Sequence, residues 1–411
     1  MSAAPPDATG DGARRGAVGY VYAPHLAAWQ LASDHPFKPV RLELVTTLLR
    51  AWGLLPDEAL LAPARVRTAD LERAHTPEYV DTVKRVSRGE DVGDAFRFGL
   101  GTVDTPVAEG LHRAVADVCG GTIAAMDALL DGTARRAASF SGGLHHAMPD
   151  RASGFCIYND LVLAILRATD RGQRVAYVDL DAHHGDGVQA AFYERGDVLT
   201  LSMHESGRYL FPGSGHAYEI GTGHGRGAAV NVPLEPFTED ASYLEAFDLV
   251  VPAALRAFGP DVIVLQAGVD THRHDPLADL SLTIEGMHAA VRRMVALADE
   301  LCEGRLLVTG GGGYDAWRTA PRAWAAVYAA MLGVEVPAST PPSWREAWRE
   351  RAPTPLPERS MDGPADFAPQ PRRLLVRGHN LAVARRLVKV LTPIWEARDG
   401  AQDPTTKGGR E

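Results

Sequence analysis

The chain has 411 residues, of which 45% are hydrophobic and 23% charged, a balance typical of a globular protein with a large buried core. Its formal net charge of −10 argues against nucleic acid as its main partner and favours basic partners. The three cysteines have no paired spacing, which argues against a disulfide framework or a zinc ribbon. With no apolar signal region and no membrane-spanning run, we expect a cytoplasmic protein.

Three regions of different composition follow one another along the chain. Residues 1–16 are rich in Ala, Pro, Gly and Asp without a hydrophobic period, and we predict a disordered tail. Residues 17–335 alternate apolar strands with amphipathic helices, which predicts one α/β domain with a mostly parallel sheet and helices on both faces. Residues 336–411 are proline-rich and predict an appendage that wraps the domain and contains one helix, at 380–397.

Within the domain, hydrophobic periodicity predicts each element in turn. Strands are predicted at 17–22, 136–140, 175–180, 197–203, 261–268 and 305–309. Helices are predicted at 42–53, 78–87, 106–130, 159–169, 188–195, 241–258, 283–302 and 316–332. The glycine-rich segment 206–227 is too long for an ordinary connection, and we therefore predict that it has a function.

The segment YVDLDAHHGDG at 177–187 places several ionisable residues directly after an apolar strand. In an extended chain Asp179, Asp181 and His183 project to the same side, because side chains alternate with a period of two. Crowding these groups on one face is costly unless they bind something. A divalent metal ion held by one carboxylate and one imidazole of this segment would remove that cost.

A third ligand is expected from Asp270, which follows the strongly apolar strand at 261–268. Ligand sites of open α/β sheets form at the carboxyl ends of strands, and four predicted strands here end in reactive residues. Asp181, His183 and Asp270 would form an O,N,O site with an open position, as in a catalytic metal centre. Taken singly, Asp270 is better explained as a helix cap and His183 as a solvated loop residue, and only the set of three favours the metal site.

Two other strand ends carry candidate catalytic groups. His145 and His146 are adjacent imidazoles, suited to general acid and base catalysis if Asp179 and Asp186 fix their tautomers. Tyr314 follows four glycines, which let the backbone approach a ligand, and its phenol is suited to hydrogen bonding with a developing oxyanion.

Two phenylalanines lie in loops predicted to border the same site, at the carboxyl ends of the strands. One follows Gly154 as Phe155, and the other is Phe211 in the glycine-rich segment. Loop phenylalanines usually pack down as small anchors. Two that face each other would form a narrow apolar slot that suits the methylene stem of a lysine.

Eight stretches resemble the histone deacetylase superfamily, most closely its bacterial acetoin-utilisation branch. They are HPFKPVR (35–41), GLGTVD (99–104), GGLHH (142–146), GFCIYND (154–160), VDLDAHHGD (178–186), HESGRYLFPG (204–213), QAGVD (266–270) and GGGGY (310–314). They occur in the family's order within residues 17–335, and the resemblance does not extend past Glu335.

The resemblance implies an arginase-like α/β fold that hydrolyses ε-N-acetyl-lysine to lysine and acetate, with zinc or ferrous iron on Asp181, His183 and Asp270. It implies that His145 and His146 act on the attacking water and the leaving amine. Asp179 and Asp186 would orient the histidines, and Tyr314 would polarise the acyl oxygen. Phe155 and Phe211, beside Gly154, would flank the substrate tunnel. Asp104 would bind the peptide backbone of the substrate, and acetate would leave past Arg41.

The resemblance also implies a structural potassium ion. Its expected ligands are groups of Asp179, Asp181, His183, Ser202 and Met203. Such an ion would raise the local positive charge and favour the neutral form of the neighbouring imidazoles.

Two departures from many eukaryotic members argue against histone tails as the substrate. Leu210 stands where those members carry a second aromatic residue, and the segment 271–274, THRH, is charged. The branch instead suggests a non-histone metabolic enzyme, such as an acetylated acyl-CoA synthetase.

Three alternatives stay open at this stage. The first is an amidohydrolase of small molecules such as acetylpolyamines, which Asp104 and the loop at 205–211 would decide. The second is a ureohydrolase with two manganese ions, which would need carboxylates where this chain has Gly185 and His272. The third is an acyl-lysine reader without activity, which would not need the complete set of ligands, histidines and tyrosine.

Overall fold

One sheet of eight parallel strands forms the centre of the structure, a computed structural model that describes residues 18–28 and 31–401. The tail predicted at 1–16 lies outside these residues. In chain order the strands are β1 (Val18–Val21), β2 (Leu60–Leu61), β3 (Arg136–Ser139), β4 (Val175–Asp179), β5 (Val198–Glu205), β6 (Ala229–Leu234), β7 (Val262–Gln266) and β8 (Leu306–Thr309). Their order across the sheet is β2-β1-β3-β8-β7-β4-β5-β6.

Every residue of β4, β5 and β7 is buried. Because successive side chains of a strand point to opposite faces, complete burial means that both faces of the sheet are covered. This explains why these strands read as continuous apolar runs in the sequence and not as alternating ones. The predicted fold class, α/β with a parallel sheet and helices on both faces, is confirmed.

Twelve α-helices connect and cover the strands in the described part of the chain. They are α1 (Pro24–Ala28), α2 (Val40–Ala51), α3 (Thr68–Leu71), α4 (Pro77–Ser87), α5 (Leu111–Leu130), α6 (Asp160–Thr169), α7 (Asp186–Phe192), α8 (Asp240–Phe258), α9 (Ile284–Cys302), α10 (Thr319–Leu332), α11 (Pro342–Trp348) and α12 (Arg373–Ala401). Short 3-10 turns lie at Asp57–Ala59, Ala95–Phe98, Gly223–Gly225 and Pro364–Asp366. Within residues 18–28 and 31–401, no helix has the length and apolar character needed to cross a membrane.

Two elements differ from the prediction for local reasons. Helix α5 begins at Leu111 and not at 106, because Gly110 adopts a left-handed φ of 81° that interrupts a helix. Strand β6 was not predicted, since Asn231 and Pro233 interrupt its apolar run. It lies at the edge of the sheet, where proline is tolerated because one side of the strand needs no hydrogen bonds.

The segment after residue 336 packs against the body of the protein. The indole Nε1 atoms of Trp344 and Trp348 both donate to Thr47 Oγ1 on α2, at 3.0 and 3.1 Å. Helix α12 packs along α8, and the indole of Trp395 donates to the carbonyl of Gly227 at 2.9 Å. The helix predicted at 380–397 is thus longer, beginning at Arg373, and α11 is a second helix of this region.

Candidate active site

Four neighbouring strands, β3, β8, β7 and β4, bring the predicted site residues to one edge of the sheet. His145 and His146 follow β3, Tyr314 follows β8, and Asp270 follows β7. Asp181 and His183 follow β4. Because the strands are parallel, their carboxyl ends meet at the same edge, and residues far apart in the sequence become neighbours.

Asp181, His183 and Asp270 form a buried cluster whose candidate ligand atoms all lie within 4.8 Å of one another. His183 Nδ1 lies 2.8 Å from Asp270 Oδ2 and 3.2 Å from Asp181 Oδ1. Two carboxylates that share one imidazole in a buried place are the donor set of a divalent metal ion. The cluster therefore fits such an ion.

The backbone around the cluster leaves room only for glycine. A Cβ atom at Gly268 would collide with the Asp181 carboxylate, and one at Gly312 would collide with Asp270. The N–H of Gly312 donates to Asp181 Oδ2 at 2.7 Å, and the N–H of Ala182 donates to Asp270 Oδ1 at 2.9 Å. These two donors leave the remaining carboxylate oxygens facing His183.

Both candidate catalytic histidines are held by a carboxylate at Nδ1. His145 Nδ1 lies 2.9 Å from Asp179 Oδ2, and His146 Nδ1 lies 2.7 Å from Asp186 Oδ1. A carboxylate accepts, so Nδ1 of each ring carries a proton, and in the neutral form of the ring Nε2 keeps a lone pair. The predicted partners are therefore in place, and the two rings lie 4.0 Å apart between centroids.

The two imidazoles have opposite pKa shifts. Burial alone would lower the pKa of His145, but the carboxylates of Asp179 and Asp181 raise it to about 9. Burial, together with the charge of His145, lowers the pKa of His146 to about 3, although Asp186 opposes this. One proton on His145 thus makes a second proton on His146 unfavourable.

Tyr314, Phe155 and Phe211 surround this centre. The ring of Tyr314 lies 5.7 Å from that of Phe155, and the ring of Phe211 lies 5.0 Å from that of His146. Phe155 has a φ of 68°, a strained conformation for a residue other than glycine and one that concentrates at functional sites. A Cβ at Gly154 would lie 2.8 Å from the Phe211 ring, so the chain passes closely between the two aromatics.

Arg41 lies buried beside Tyr314, and Asp104 lies at the surface. Arg41 Nη1 donates to the carbonyl of Gly313 at 2.9 Å, and its Nε has no hydrogen-bond partner among the described residues. Arg41 also lines a small internal cavity of about 40 Å³. The Asp104 carbonyl lies 3.2 Å from His35 Nε2, and the His35 ring packs on Phe155 at 4.5 Å.

Sequence reasoning missed several residues that hold the site together. Tyr177, predicted only as an apolar strand residue, donates its hydroxyl to Asp179 Oδ2 at 2.5 Å. Asp160 is the first residue of α6, which Asn159 caps. The Asp160 carboxylate accepts the N–H groups of Gly143 and Leu144 at 2.9 and 2.8 Å, directly before the histidine pair. Only their distances in the folded structure identify these residues as parts of the site.

The loop that carries Phe211 is fixed by a glutamate that the sequence did not single out. Glu219 accepts the N–H groups of Gly215 and His216 at 3.2 and 3.0 Å, and the side-chain amide of Gln189 on α7 at 2.7 Å. The segment predicted to be functional at 206–227 is therefore anchored to the body next to the site.

His75 ties the histidine loop to helix α6 and gives a prediction for pH. Its Nε2 accepts the N–H of Asn159 at 3.0 Å, and its Nδ1 lies 3.0 Å from the carbonyl of Met148. Burial lowers the pKa of His75 to about 4, although the Met148 carbonyl opposes this.

In the unfolded chain His75 has a pKa near 6.5, so the unfolded state binds the proton first as the pH falls. We therefore expect the free energy of unfolding to decrease as pH falls from about 6.5 to about 4, by at most about 3 kcal/mol. The free energy of unfolding, measured by urea titration at pH 7 and pH 5, should change less in His75→Gln than in the unsubstituted protein. Equal changes in both proteins would contradict the assignment.

The fold and the site together describe an α/β protein with a buried Asp–His–Asp centre and an adjacent histidine pair. The family model "Histone deacetylase domain" matches residues 35–331. The acetoin utilization protein AcuC of Bacillus subtilis is 42% identical over 357 residues, covering 86% of this chain and 92% of that protein. AcuC of Staphylococcus xylosus is 37% identical over 374 residues, covering 90% and 97%.

Solved structures agree with the sequence comparisons. The crystal structure of a histone deacetylase homologue from Aquifex aeolicus matches with a TM-score of 0.77 at 28% identity, covering 89% of this chain and 99% of that one. A histone deacetylase homologue complexed with SAHA matches with a TM-score of 0.77 at 27% identity, covering 90% and 99%. The chain belongs to the histone deacetylase family, in its AcuC-like branch.

Proposed function

We propose that the protein hydrolyses the amide of ε-N-acetyl-lysine in proteins, using a zinc ion or a ferrous ion held by Asp181, His183 and Asp270. The observation that carries this proposal is the position of the buried Asp–His–Asp cluster. It lies beside two histidines whose Nδ1 atoms are tied to carboxylates, and the rings of Phe211 and Phe155 contact His146 and Tyr314 there.

A bound divalent ion supplies a Lewis acid that polarises the acyl carbonyl and activates water. In their neutral forms His145 and His146 present the lone pairs of Nε2, take a proton from the attacking water and return it to the leaving lysine amine. Tyr314 donates its phenolic proton as a hydrogen bond to the carbonyl oxygen as charge develops there. The amide and one water thereby yield lysine and acetate.

Product exit and a second ion are part of the same proposal. The buried guanidinium of Arg41 lines the internal cavity and has the charge to attract acetate. A potassium ion is proposed on groups of Asp179, Asp181, His183, Ser202 and Met203. Asp179 and Ser202 are paired neighbours on β4 and β5, which supports this set.

One observation argues against a two-metal ureohydrolase. The cluster of Asp181, His183 and Asp270 is the only group of three candidate ligands among residues 18–28 and 31–401. A side chain at Gly185 would collide with Asp179, and His272 is bonded to Asp362 and lies near Thr319, not in the cluster.

The direct test is hydrolysis of acetyl-lysine peptides by the metal-loaded protein, with and without a chelator, alongside acetylpolyamines as competitors. We expect loss of the acetyl mass from the peptide, which the chelator abolishes. Faster turnover of acetylpolyamine than of peptide would contradict a protein substrate. Replacing zinc with ferrous iron in the same assay decides between the two ions.

The proposed physiological substrate is a cytoplasmic metabolic enzyme such as an acetylated acyl-CoA synthetase. The similarity to acetoin utilization proteins supports this class. Incubation with an acetylated synthetase, followed by mass spectrometry of the modified lysine, tests it. An acetylated lysine that keeps its acetyl group, under conditions where peptides lose theirs, would contradict the proposal.

Asp104 gives a prediction about the rim. Its carboxylate is exposed, and we propose that it accepts hydrogen bonds from the backbone of the substrate. Hydrogen bonds to charged groups contribute about 1.5–3 kcal/mol, so Asp104→Ala should lower kcat/KM for an acetyl-lysine peptide by about 10-fold or more. Turnover of a small acetylated amine without a peptide backbone should change little.

The matched control for this prediction is Asp94→Ala, because Asp94 is also an exposed aspartate of the same surface segment. Both kcat/KM values should be measured on peptide and on small amine. An equal loss in the two variants would show a general effect of surface charge, and would contradict a contact specific to Asp104.

A further inference from the structure

The loop that follows β7 joins two parts of the candidate active site. It begins at Asp270, a candidate metal ligand, and ends at Asp275, whose Oδ2 accepts the backbone N–H of Tyr314 at 2.7 Å. Burial and the nearby charge of Asp270 raise the pKa of Asp275 to about 8. A shift of this loop would therefore displace a ligand and the proposed oxyanion donor together.

His272, the middle residue of this loop, is completely buried and has a defined tautomer. Its Nδ1 accepts the N–H of His274 at 3.2 Å, so the neutral ring carries its proton on Nε2. That Nε2 lies 3.0 Å from Asp362 Oδ1. The loop thus donates a buried hydrogen bond to a residue of the C-terminal region.

Asp362 connects the loop to two helices. Its Oδ1 also accepts the N–H of Ile284, in the first turn of α9, at 3.0 Å. Its Oδ2 accepts from Arg322 Nη2 on α10 at 3.1 Å. Burial would raise the pKa of Asp362, but the bond from His272 and the charge of Arg322 hold it well below its usual range.

A second contact from the same C-terminal segment lies beside the first. The guanidinium of Arg273 lies 4.1 Å from the centroid of the Phe367 ring, and the ring of His274 lies 5.4 Å from it. The charged segment 271–274, which departs from many relatives, is therefore packed against residues 362–367 of this chain. It belongs to an internal contact and not to the rim of the site.

We propose that Asp362 is a positioning residue of the active site, and that the C-terminal segment completes the site by fixing the loop between Asp270 and Asp275. This inference rests on the proposed function. It means that the region after residue 336 is not a separable appendage: part of it holds a ligand-bearing loop in place through His272.

The physical reason is that removing the Asp362 carboxylate leaves the groups that donate hydrogen bonds to it without that acceptor. In Asp362→Ala the buried Nε2–H of His272 and Nη2 of Arg322 lose this acceptor, and the loop rearranges to find another for His272. Loss of residues that support a ligand typically weakens metal affinity by 10–100-fold. We expect metal affinity about 10-fold weaker and kcat at saturating metal about 10-fold lower, with KM for the peptide nearly unchanged.

The experiment compares Asp362→Ala, Asp362→Asn, His272→Ala and the control Asp366→Asn in the full chain. Asp366 lies in the same segment but pairs with Arg359 at the surface. Zinc affinity is measured by chelator competition, kcat and KM on an acetyl-lysine peptide, and stability as Tm. Asp362→Asn keeps an acceptor oxygen for His272 and should recover most of the affinity, and Asp366→Asn should match the unsubstituted protein.

Two results would overturn the inference. One is a lower Tm in Asp362→Ala while its zinc affinity and kcat stay within twofold of those of Asp366→Asn, which indicates a role in stability alone. If Asp362→Ala does not fold, His272→Ala breaks the same contact from the loop side and is judged by the same criterion. The other result is an unsubstituted protein that neither binds zinc nor hydrolyses peptide, which removes the proposed function and this inference together.

Discussion

Replacing Tyr314 with phenylalanine is expected to lower kcat on an acetyl-lysine peptide by about two to three orders of magnitude. The substitution removes only the hydroxyl, and a preorganised oxyanion donor contributes about 2.7–4 kcal/mol to transition-state stabilisation. The ring and its contact with Phe155 remain, so Tm should not change. Steady-state kinetics and thermal unfolding of the two proteins provide the measurement.

Tyr218→Phe is the control, because Tyr218 is exposed and stacks on His216 at 5.1 Å without a contact to the proposed centre. Its turnover should equal that of the unsubstituted protein. Near-normal turnover in Tyr314→Phe would refute the role that we assign to the phenol.

Asp181→Asn is expected to abolish tight zinc binding and to lower activity by about three orders of magnitude or more, since the ion contributes several kcal/mol to charge stabilisation. The amide keeps the shape of the carboxylate but removes the charge that faces His183. A ligand at 100 times its Kd stabilises a folded protein by about 2.7 kcal/mol. Zinc should therefore raise the Tm of the unsubstituted protein and leave that of Asp181→Asn unchanged.

Asp240→Asn separates metal binding from the general loss of a buried carboxylate. Asp240 is buried and accepts from the backbone and hydroxyl of Thr283, at the start of α9. We expect this variant to have a lower Tm in the absence of metal and an undiminished Tm rise with zinc. A zinc-dependent rise in Asp181→Asn equal to that of Asp240→Asn would contradict the proposed ligand set.

Most of the sheet could be predicted because its strands are fully buried, and full burial demands continuous apolar runs that stand out in the sequence. Strands β2 and β6 were missed. β2 has only two residues, and the apolar run of β6 is interrupted by Asn231 and Pro233 although the strand is largely buried. The start of α5 was placed too early because periodicity alone does not show that Gly110 has a left-handed conformation.

The candidate metal centre could be predicted because its members are the ionisable residues directly after apolar strands. The residues that hold the surrounding groups could not, since Tyr177, Asp275 and Glu219 resemble ordinary polar or aromatic residues of any fold. Their roles depend on distances such as the 2.5 Å between the Tyr177 hydroxyl and Asp179, which the sequence does not contain. From the sequence, the charge of segment 271–274 was taken as an argument against histone tails as the substrate. In the structure this segment packs on residues 362–367.

The sequence by itself determined the α/β class, the run of strand ends that carry reactive residues, and the family resemblance, because local patterns of burial and motif order suffice for these. The tertiary structure decided which strands are neighbours, which carboxylate holds each histidine, and that Asp362 reaches a loop about 90 positions earlier in the chain. The physical reason is that strand order and hydrogen-bond partners arise from long-range packing, in which sequence separation has no fixed relation to distance in space.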